Sequence, residues 1–213
     1  MFSPQPVNAR YRLIDAAISR LEHRSAAEVV VVVRQQSGLY RDADLIGGVL
    51  LGLLALCYAI FNPWTIHAPS QLPLDFIVFA VVGAVAVRLC WPLRRVLSGV
   101  ERRRAQVELC ARALYADEGI YETRARTGLL VYLSRFERRA SLQVDTGVLA
   151  AVGPERVSSW RRDLGLLAQR RAPLEALCDW LGELERSLAE ALPSTDDNPD
   201  ELPNLPERCE VEL

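Results

Sequence analysis

The chain of 213 residues contains no lysine, because all 25 of its basic residues are arginine. Without a primary amine on a side chain, Schiff-base chemistry and a Walker-type phosphate-binding lysine are excluded. Histidine is nearly as scarce, and the two residues His23 and His67 are too few for a histidine-rich metal centre. The five cysteines form no Cys-x-x-Cys pair, which argues against a zinc ribbon or a disulfide framework and fits a reducing compartment.

An excess of positive charge is also missing, since the formal net charge is −2. This value excludes a chain-wide polycation of the kind that coats nucleic acid, and the length allows one domain with a full core. Seven arginines do cluster within residues 88–112, but they adjoin a long apolar segment. Arginines beside a membrane span contact anionic lipid headgroups, so we expect no nucleic-acid partner.

Two long apolar runs predict a transmembrane hairpin. Residues 45–64 (LIGGVLLGLLALCYAIFNPW) carry no charge, and as a helix they would extend ~30 Å, the thickness of a bilayer core. Residues 74–93 form the second predicted span, in which Arg88 lies near enough to the end to reach the interface. The short connection 65–73 contains two prolines and no arginine.

The distribution of arginine predicts how this hairpin is oriented. Arg34 and Arg41 precede the first span and the arginine cluster follows the second, whereas the connection between the spans has none. By the positive-inside rule both termini lie in the cytoplasm and the connection lies outside. The predicted localisation is therefore an integral membrane protein with two spans, whose first partner is the lipid bilayer.

Three further segments predict strands of one α/β domain. Residues 27–33 (AEVVVVV) are apolar on both faces, so this strand needs cover on both sides and partners from beyond the hairpin. Residues 128–134 (GLLVYLS) form a second strand, and residues 140–145 alternate as a third strand after a polar turn at 135–139. The hairpin returns the chain to the same side of the membrane, which makes a discontinuous domain possible. The alternative is that the helices form an independent bundle.

The remaining segments predict helices around this sheet. Residues 8–22 and 96–115 have apolar stripes, a helix starting at Pro154 follows, and residues 173–192 are strongly amphipathic. The predicted organisation is thus 1–44 (first helix and strand), 45–93 (hairpin), 94–192 (remainder of the domain) and 193–213. That last segment has seven acidic residues, one arginine and four prolines, a composition typical of a disordered tail.

Six residues near the ends of the second and third strands carry a resemblance to the TPM domain family. The pattern is a threonine shortly before Thr-Gly, an apolar strand, a Glu-Arg turn and a strand ending in Asp-x-Gly, and it extends over residues 8–204 with the hairpin as an insertion. The matching positions are Thr123, Arg126, Thr127, Gly128, Asp145 and Gly147. The resemblance implies a TPM-like sheet flanked by helices, commonly attached to a membrane. Some members are acid phosphatases and some bind calcium.

The same residues also have simple structural interpretations. Gly128 and Gly147 are expected to be turn residues with positive φ, and Asp145 is expected to cap a following helical turn. Glu137, between Phe136 and two arginines, is expected in a solvated hairpin turn. A Ca²⁺ or Mg²⁺ ion at Asp145 follows from the resemblance, but one carboxylate supplies at most two of the ~6–8 oxygens that Ca²⁺ takes.

These residues lead to one favoured function and two alternatives. We expect a binding or scaffolding module and assign no catalytic residue, because no nucleophile with a neighbouring base is evident. The first alternative is a weak metal-dependent phosphatase with Asp145 as a metal ligand and Arg126 on the phosphate; it requires further carboxylates, such as Asp117, Glu118 or Glu122, near Asp145. The second is an assembly protein that binds a protein partner through its C-terminal helices, residues 154–192.

Overall fold

The computed structural model describes residues 5–62, 71–170 and 173–194, with side chains from residue 12 onward. The chain divides into two compact units. The first comprises residues 1–37 and 106–213, and the second comprises residues 38–105. Residues 65–70 of the predicted connection and residues 63–64 at the end of the first predicted span lie outside the described part of the chain. So do residues 195–213 of the predicted acidic tail.

Five consecutive valines form the edge strand of a three-stranded sheet in the first unit. β1 (Glu28–Arg34) pairs in parallel with β2 (Gly128–Ser134), and β2 pairs antiparallel with β3 (Arg139–Val144). β-branched side chains favour this extended backbone, and β1 is buried over all but its last residue. The partner of β1 therefore does lie beyond the apolar segments, and the three strands agree with the predicted segments to within a residue.

Eight α-helices lie in the described part of the chain. They are α1 (Gln5–Arg24), α2 (Arg41–Phe61), α3 (Leu72–Leu89), α4 (Trp91–Leu97), α5 (Val100–Asp117), α6 (Thr146–Val152), α7 (Pro154–Leu167) and α8 (Pro173–Ala191). The protein is thus a mixed α/β structure with more helix than strand.

The two faces of the sheet have separate apolar cores. On one face, Val29, Val31 and Val33 of β1 pack with the apolar sides of α1, α7 and α8. On the other face, Val30 and Val32 pack with the C-terminal half of α5 and with a single 3₁₀ turn, Ile120–Glu122. Alternate residues of one strand thus enter different cores, as the run of valines predicts. The predicted stripes of α1, α7 and α8 are buried, so these interpretations are confirmed.

Glycines allow α2 and α3 to pack closely in the second unit. A Cβ on Gly48 would lie 2.6 Å from the carbonyl oxygen of Ala80, and one on Gly83 would lie 2.8 Å from that of Gly47. Both helices are long and apolar enough to cross a membrane, and 11% of the most apolar window of each is buried within the protein. The large side chains away from the glycine seam face outward.

The helices differ from the predicted segments in three places. The first apolar helix begins at Arg41 rather than at residue 45, so Asp42 and Asp44 lie in its first turn. The second ends at Leu89, because Pro92 has no N–H to donate and its ring would clash with the preceding turn. The predicted helix 96–115 is interrupted at Gly99, whose φ of 68° ends α4 before α5 begins.

Candidate functional site

The six residues of the TPM resemblance come together at one end of the sheet. The segment that leads into β2 contains Thr123, Arg126 and Thr127, and the segment that leaves β3 contains Asp145 and Gly147. Since β2 and β3 are antiparallel, the start of one lies beside the end of the other. The Asp145 N–H donates to the carbonyl of Gly128 at 3.0 Å, and the Gly147 N–H donates to that of Arg126 at 2.9 Å.

The loop before β2 is held by its own threonines. Thr123 Oγ1 accepts the N–H of Thr127 at 3.0 Å, and the Thr123 carbonyl accepts the N–H of Arg126, also at 3.0 Å. Both threonines are buried, and the carbonyl of Thr127 accepts the N–H of Glu28 on β1. This loop places Arg126 in the left-handed region, with a φ of 55°, a conformation that non-glycine residues seldom adopt. The threonines therefore act on the backbone that positions Arg126.

The prediction that Gly128 and Gly147 serve as positive-φ turns is wrong. Neither residue has positive φ; Gly128 lies in β2 and Gly147 in α6. Each glycine instead permits a close approach. A Cβ on Gly147 would lie 2.6 Å from the carbonyl oxygen of Arg126 and closer still to that of Ala125, and one on Gly128 would meet the backbone of Ile120. Both glycines are required because other backbone segments occupy the space of a side chain.

Asp145 caps α6, as the sequence predicts, with one of its two carboxylate oxygens. Oδ1 accepts the N–H of Thr146 at 2.6 Å and its hydroxyl at 3.2 Å. Oδ2 is buried and has no hydrogen-bond partner of normal geometry among the described residues. The nearest cation is the guanidinium of Arg126, whose Nη1 lies 4.0 Å away. One oxygen therefore caps α6, and the other lies beside the guanidinium of Arg126, in a carboxylate that also interacts with Tyr115.

Two tyrosines complete the surroundings of this carboxylate. The pKa of Tyr115 is raised to about 12 by burial, by the negative charge of Asp145 and by a hydrogen bond to that carboxylate, while Arg126 lowers it to a smaller extent. Arg126 also lies over the ring of Tyr121, 6.0 Å from its centroid, and the rings of Tyr121 and Tyr115 are 6.4 Å apart. Tyr115 is therefore neutral at physiological pH and retains its hydroxyl proton. The tyrosines follow no pattern in the sequence that would have indicated them.

The described residues provide few ligands for a metal ion here. Among them, no three His, Cys, Asp or Glu side chains lie together as potential ligands, so Asp117, Glu118 and Glu122 do not form such a cluster with Asp145. A Ca²⁺ or Mg²⁺ ion at Asp145 would take its remaining oxygens from backbone carbonyls, water or a bound substrate. The exposed side chain of Arg126 provides positive charge for an anionic ligand at the same place.

A second polar cluster lies at the opposite end of the sheet, and here the prediction of a solvated turn is wrong. Glu137 is 2% exposed. Its Oε1 accepts the N–H of Ser37 at 2.8 Å, and its Oε2 accepts the hydroxyl of Ser134. The Ser37 hydroxyl lies 2.9 Å from that of Tyr132, and burial raises the pKa of Tyr132 to about 12. Every hydrogen bond of Ser37 in this cluster is to a residue remote in sequence, so local patterns could not indicate it.

The chain matches no protein-family model and no curated protein. A solved structure with a similar fold is the NMR structure of the BA42 protein from the psychrophilic bacterium Bizionia argentinensis. The similarity covers 92% of this chain and 90% of that chain, with a TM-score of 0.54 and 15% sequence identity. At this identity the similarity establishes the fold alone.

Proposed function

We propose that this chain is an integral membrane protein whose α2 and α3 form a transmembrane hairpin, inserted after the first strand of a TPM-like α/β unit. The observation that carries the proposal is the outward apolar surface of both helices. Their large side chains, such as Leu54, Phe61 and Val81, are exposed in the folded chain. A soluble protein rarely leaves contiguous apolar surface of this extent in water, whereas hydrocarbon covers it at no cost.

We propose that both termini of this protein lie in the cytoplasm, because the arginines flank the two spans and are missing from the connection. Alkaline carbonate treatment of membranes tests the spans, because it releases peripheral proteins and leaves integral ones in the pellet. Single-cysteine variants test the orientation: in intact cells, a membrane-impermeant maleimide is expected to label a cysteine replacing Ser70 but not one replacing Ser158. Release by carbonate contradicts the spans, and the reverse labelling pattern contradicts the orientation.

The α/β unit is proposed to act as a binding or scaffolding module on the cytoplasmic face. Support comes from Asp145 Oδ2, a buried acceptor next to an exposed guanidinium. Leaving a buried polar atom without a partner costs about 1–3 kcal/mol, and a ligand that supplies a donor or cation recovers this free energy. Such a ligand raises the melting temperature of the detergent-purified protein by mass action. The test is a screen of cations and small anions against the wild type and Asp145→Ala.

A metal-dependent phosphatase is the alternative function, with Asp145 as a ligand for Ca²⁺ or Mg²⁺ and Arg126 on the phosphate. It is supported by the 4.0 Å separation of Asp145 Oδ2 and Arg126 Nη1, because a cation bound to the carboxylate would lie close to a phosphate bound to the guanidinium. We expect an Asp145-dependent rise in melting temperature with the metal, and hydrolysis of an aryl phosphate that Arg126→Gln weakens. Absence of a rise up to millimolar metal contradicts this alternative.

Binding of a protein partner through α7 and α8 is the third proposal. The apolar faces of both helices pack into the core of the first unit. Within the described residues of α7 and α8, Leu166 is the large apolar side chain that is exposed. A protein partner would therefore bind mainly to the polar surface of these helices. Leu166→Asp is expected to weaken the binding of such a partner.

A further inference from the structure

The short helix α4 has an exposed apolar face. Trp91, Leu93 and Val96 are exposed, Val96 at 76%, and Pro92 lies between them on the same side. The opposite side of α4 faces α2, where Arg94 pairs with Asp44. A soluble helix has the reverse arrangement, with charge outward and apolar residues inward. The outward face therefore fits an apolar environment.

Ion pairs fix the height of α4 along α2. The guanidinium of Arg94 makes two contacts with Asp44, Nε at 2.8 Å from Oδ1 and Nη2 donating to Oδ2 at 3.0 Å. A second pair, Arg102 with Asp42, attaches the start of α5 to the same turn of α2. A hydrogen-bonded ion pair in which both side chains are largely buried holds its geometry better than an exposed one. Two acidic residues of one turn thus position two successive helices.

Asp44, which pairs with α4, lies where the surface of α2 changes from charged to apolar. Below Asp44, Arg41 and Asp42 are exposed; above it, Leu45, Ile46 and Val49 are exposed. α4 reaches one turn further, because Leu97 Cδ1 lies 3.5 Å from where a Cβ on Gly47 would be. In a transmembrane helix this change of surface marks the boundary between headgroups and hydrocarbon.

We propose that α4 lies in the membrane interface as a monotopic helix, with Trp91, Leu93 and Val96 against the upper acyl chains of the cytoplasmic leaflet. The proposal rests on the transmembrane hairpin proposed above. The indole of Trp91 is suited to this depth, and the large apolar side chains of α2 and α3 are exposed as well. The breaks at Pro92 and Gly99 separate α4 from α3 and α5. They allow the chain to turn along the interface.

The partner at the polar rim of this face is the anionic headgroup of a phospholipid. Arg88, in the last turn of α3, is exposed, and so is Arg104, two residues beyond the ion pair of Arg102 with Asp42. Their guanidiniums form charge-assisted hydrogen bonds with phosphate oxygens. Each arginine near the surface of an anionic membrane is worth about fivefold in affinity, the equivalent of ~1 kcal/mol.

Depth-dependent quenching of Trp91 tests the position of α4. The full-length protein is reconstituted into phosphatidylcholine vesicles whose lipids are brominated either near the glycerol or near the middle of the chain. Trp91→Phe is the control, because the difference between the two proteins isolates Trp91 from Trp64, Trp160 and Trp180. We expect shallow bromines to quench the Trp91 component more strongly than deep ones. Equal quenching of both proteins overturns the proposal and leaves the face of α4 to a protein partner.

Lipid selectivity tests the arginines by a method that does not depend on tryptophan. Spin-labelled phosphatidylglycerol and phosphatidylcholine are compared for their association with the wild type, with Arg88→Gln/Arg104→Gln, and with the matched control Arg162→Gln/Arg170→Gln. We expect the preference for phosphatidylglycerol to fall at least about fivefold in the first variant alone. An unchanged preference overturns the headgroup contact. A protein that carbonate releases instead contradicts the hairpin itself, so the two failures are distinguishable.

Discussion

The carboxylate of Glu137 accepts the backbone N–H of Ser37 at 2.8 Å, although the two residues are 100 positions apart in the chain. Ser37 ends the first segment of the α/β unit, and its carbonyl accepts hydrogen bonds from Gln106 and Cys110 on α5, where the chain re-enters that unit. One serine thus joins the points at which the chain leaves and returns. The buried carboxylate holds this serine in place, and the fold of a discontinuous unit depends on such a contact.

Removal of this carboxylate is expected to destabilise the protein. Glu137→Ala leaves the N–H of Ser37 and the hydroxyl of Ser134 buried without their acceptor, which costs about 2–3 kcal/mol. Glu137→Gln keeps one carbonyl oxygen and is expected to lose about 1 kcal/mol. Thermal unfolding in detergent, followed by near-ultraviolet circular dichroism, measures both. The order wild type, Gln, Ala in melting temperature is the expected result; equal stability of all three would refute the role of Glu137.

Two glycines in helices are expected to respond to alanine in opposite directions. In Gly147→Ala the new Cβ meets the carbonyl oxygens of Ala125 and Arg126, so the loop or α6 must move. We expect a loss of about 2 kcal/mol, despite the higher helix propensity of alanine. Gly165 of α7 has no atom within 4 Å of its Cβ position, so Gly165→Ala is the matched control, with an expected gain of about 0.5–1 kcal/mol. A neutral Gly147→Ala would show that the close approach is not required.

There is a physical reason why the predicted helix faces and β1 are correct and the predicted turns at Gly147 and Glu137 are wrong. Local patterns predict the buried faces of α1, α7 and α8 and the strand formed by the five valines of β1. In each case the spacing of hydrophobic residues within the segment indicates which side is buried. The close approach at Gly147 and the buried carboxylate of Glu137 depend on segments about 20 and 100 residues away. Composition at the site itself therefore predicts a turn in both places. Only the tertiary fold distinguishes a turn from a contact.

The candidate site likewise contains residues that the sequence predicts and residues that it does not. Arg126 and Asp145 follow from a resemblance that rests on short motifs, whereas Tyr115 and Tyr121, which contact or influence them, lie on α5 and in the 3₁₀ turn.

The break between α4 and α5 is a different case. Gly99 is a local signal for a helix end, but the apolar stripe from residue 100 onward favours a single helix over 96–115. Here a local signal for a helix end was outweighed by a periodic one.

The acid stability of the protein is expected to depend on Glu108. Burial alone would raise the pKa of this carboxyl, but hydrogen bonds from Ser141, Gln143 and Arg112 outweigh it and bring the pKa below 4.5. A pKa that is lower in the folded state stabilises the fold above the unfolded pKa, and this stabilisation is lost as the pH falls through the folded value. The wild type should therefore exceed Glu108→Gln in melting temperature at neutral pH. The difference should shrink below about pH 4.5.

The control for this pH dependence is Glu155→Gln on α7, an exposed glutamate in the same unit. This variant removes one carboxylate from the same unit, so it separates the loss of a negative charge from the loss of the hydrogen bonds that Glu108 accepts. A difference between the wild type and Glu108→Gln that does not change with pH would mean that Glu108 contributes through packing alone. The hydrogen bonds from β3 to α5 would then not be charge-assisted.

The seam between α2 and α3 is expected to open when Gly83 receives a side chain. In Gly83→Leu the new atoms meet the carbonyl oxygen of Gly47 and the Cβ of Leu51, both 2.8 Å from the Cβ position. Without glycine, packed helices separate to about 8–10 Å, so we expect the pair to widen by about 2–3 Å. Spin labels at the outward positions Leu50 and Val81, in a background without native cysteines, measure this distance by pulsed EPR. Val82→Leu adds one methylene on the exposed side of α3 and should leave the distance unchanged, so widening in both variants would place the seam elsewhere.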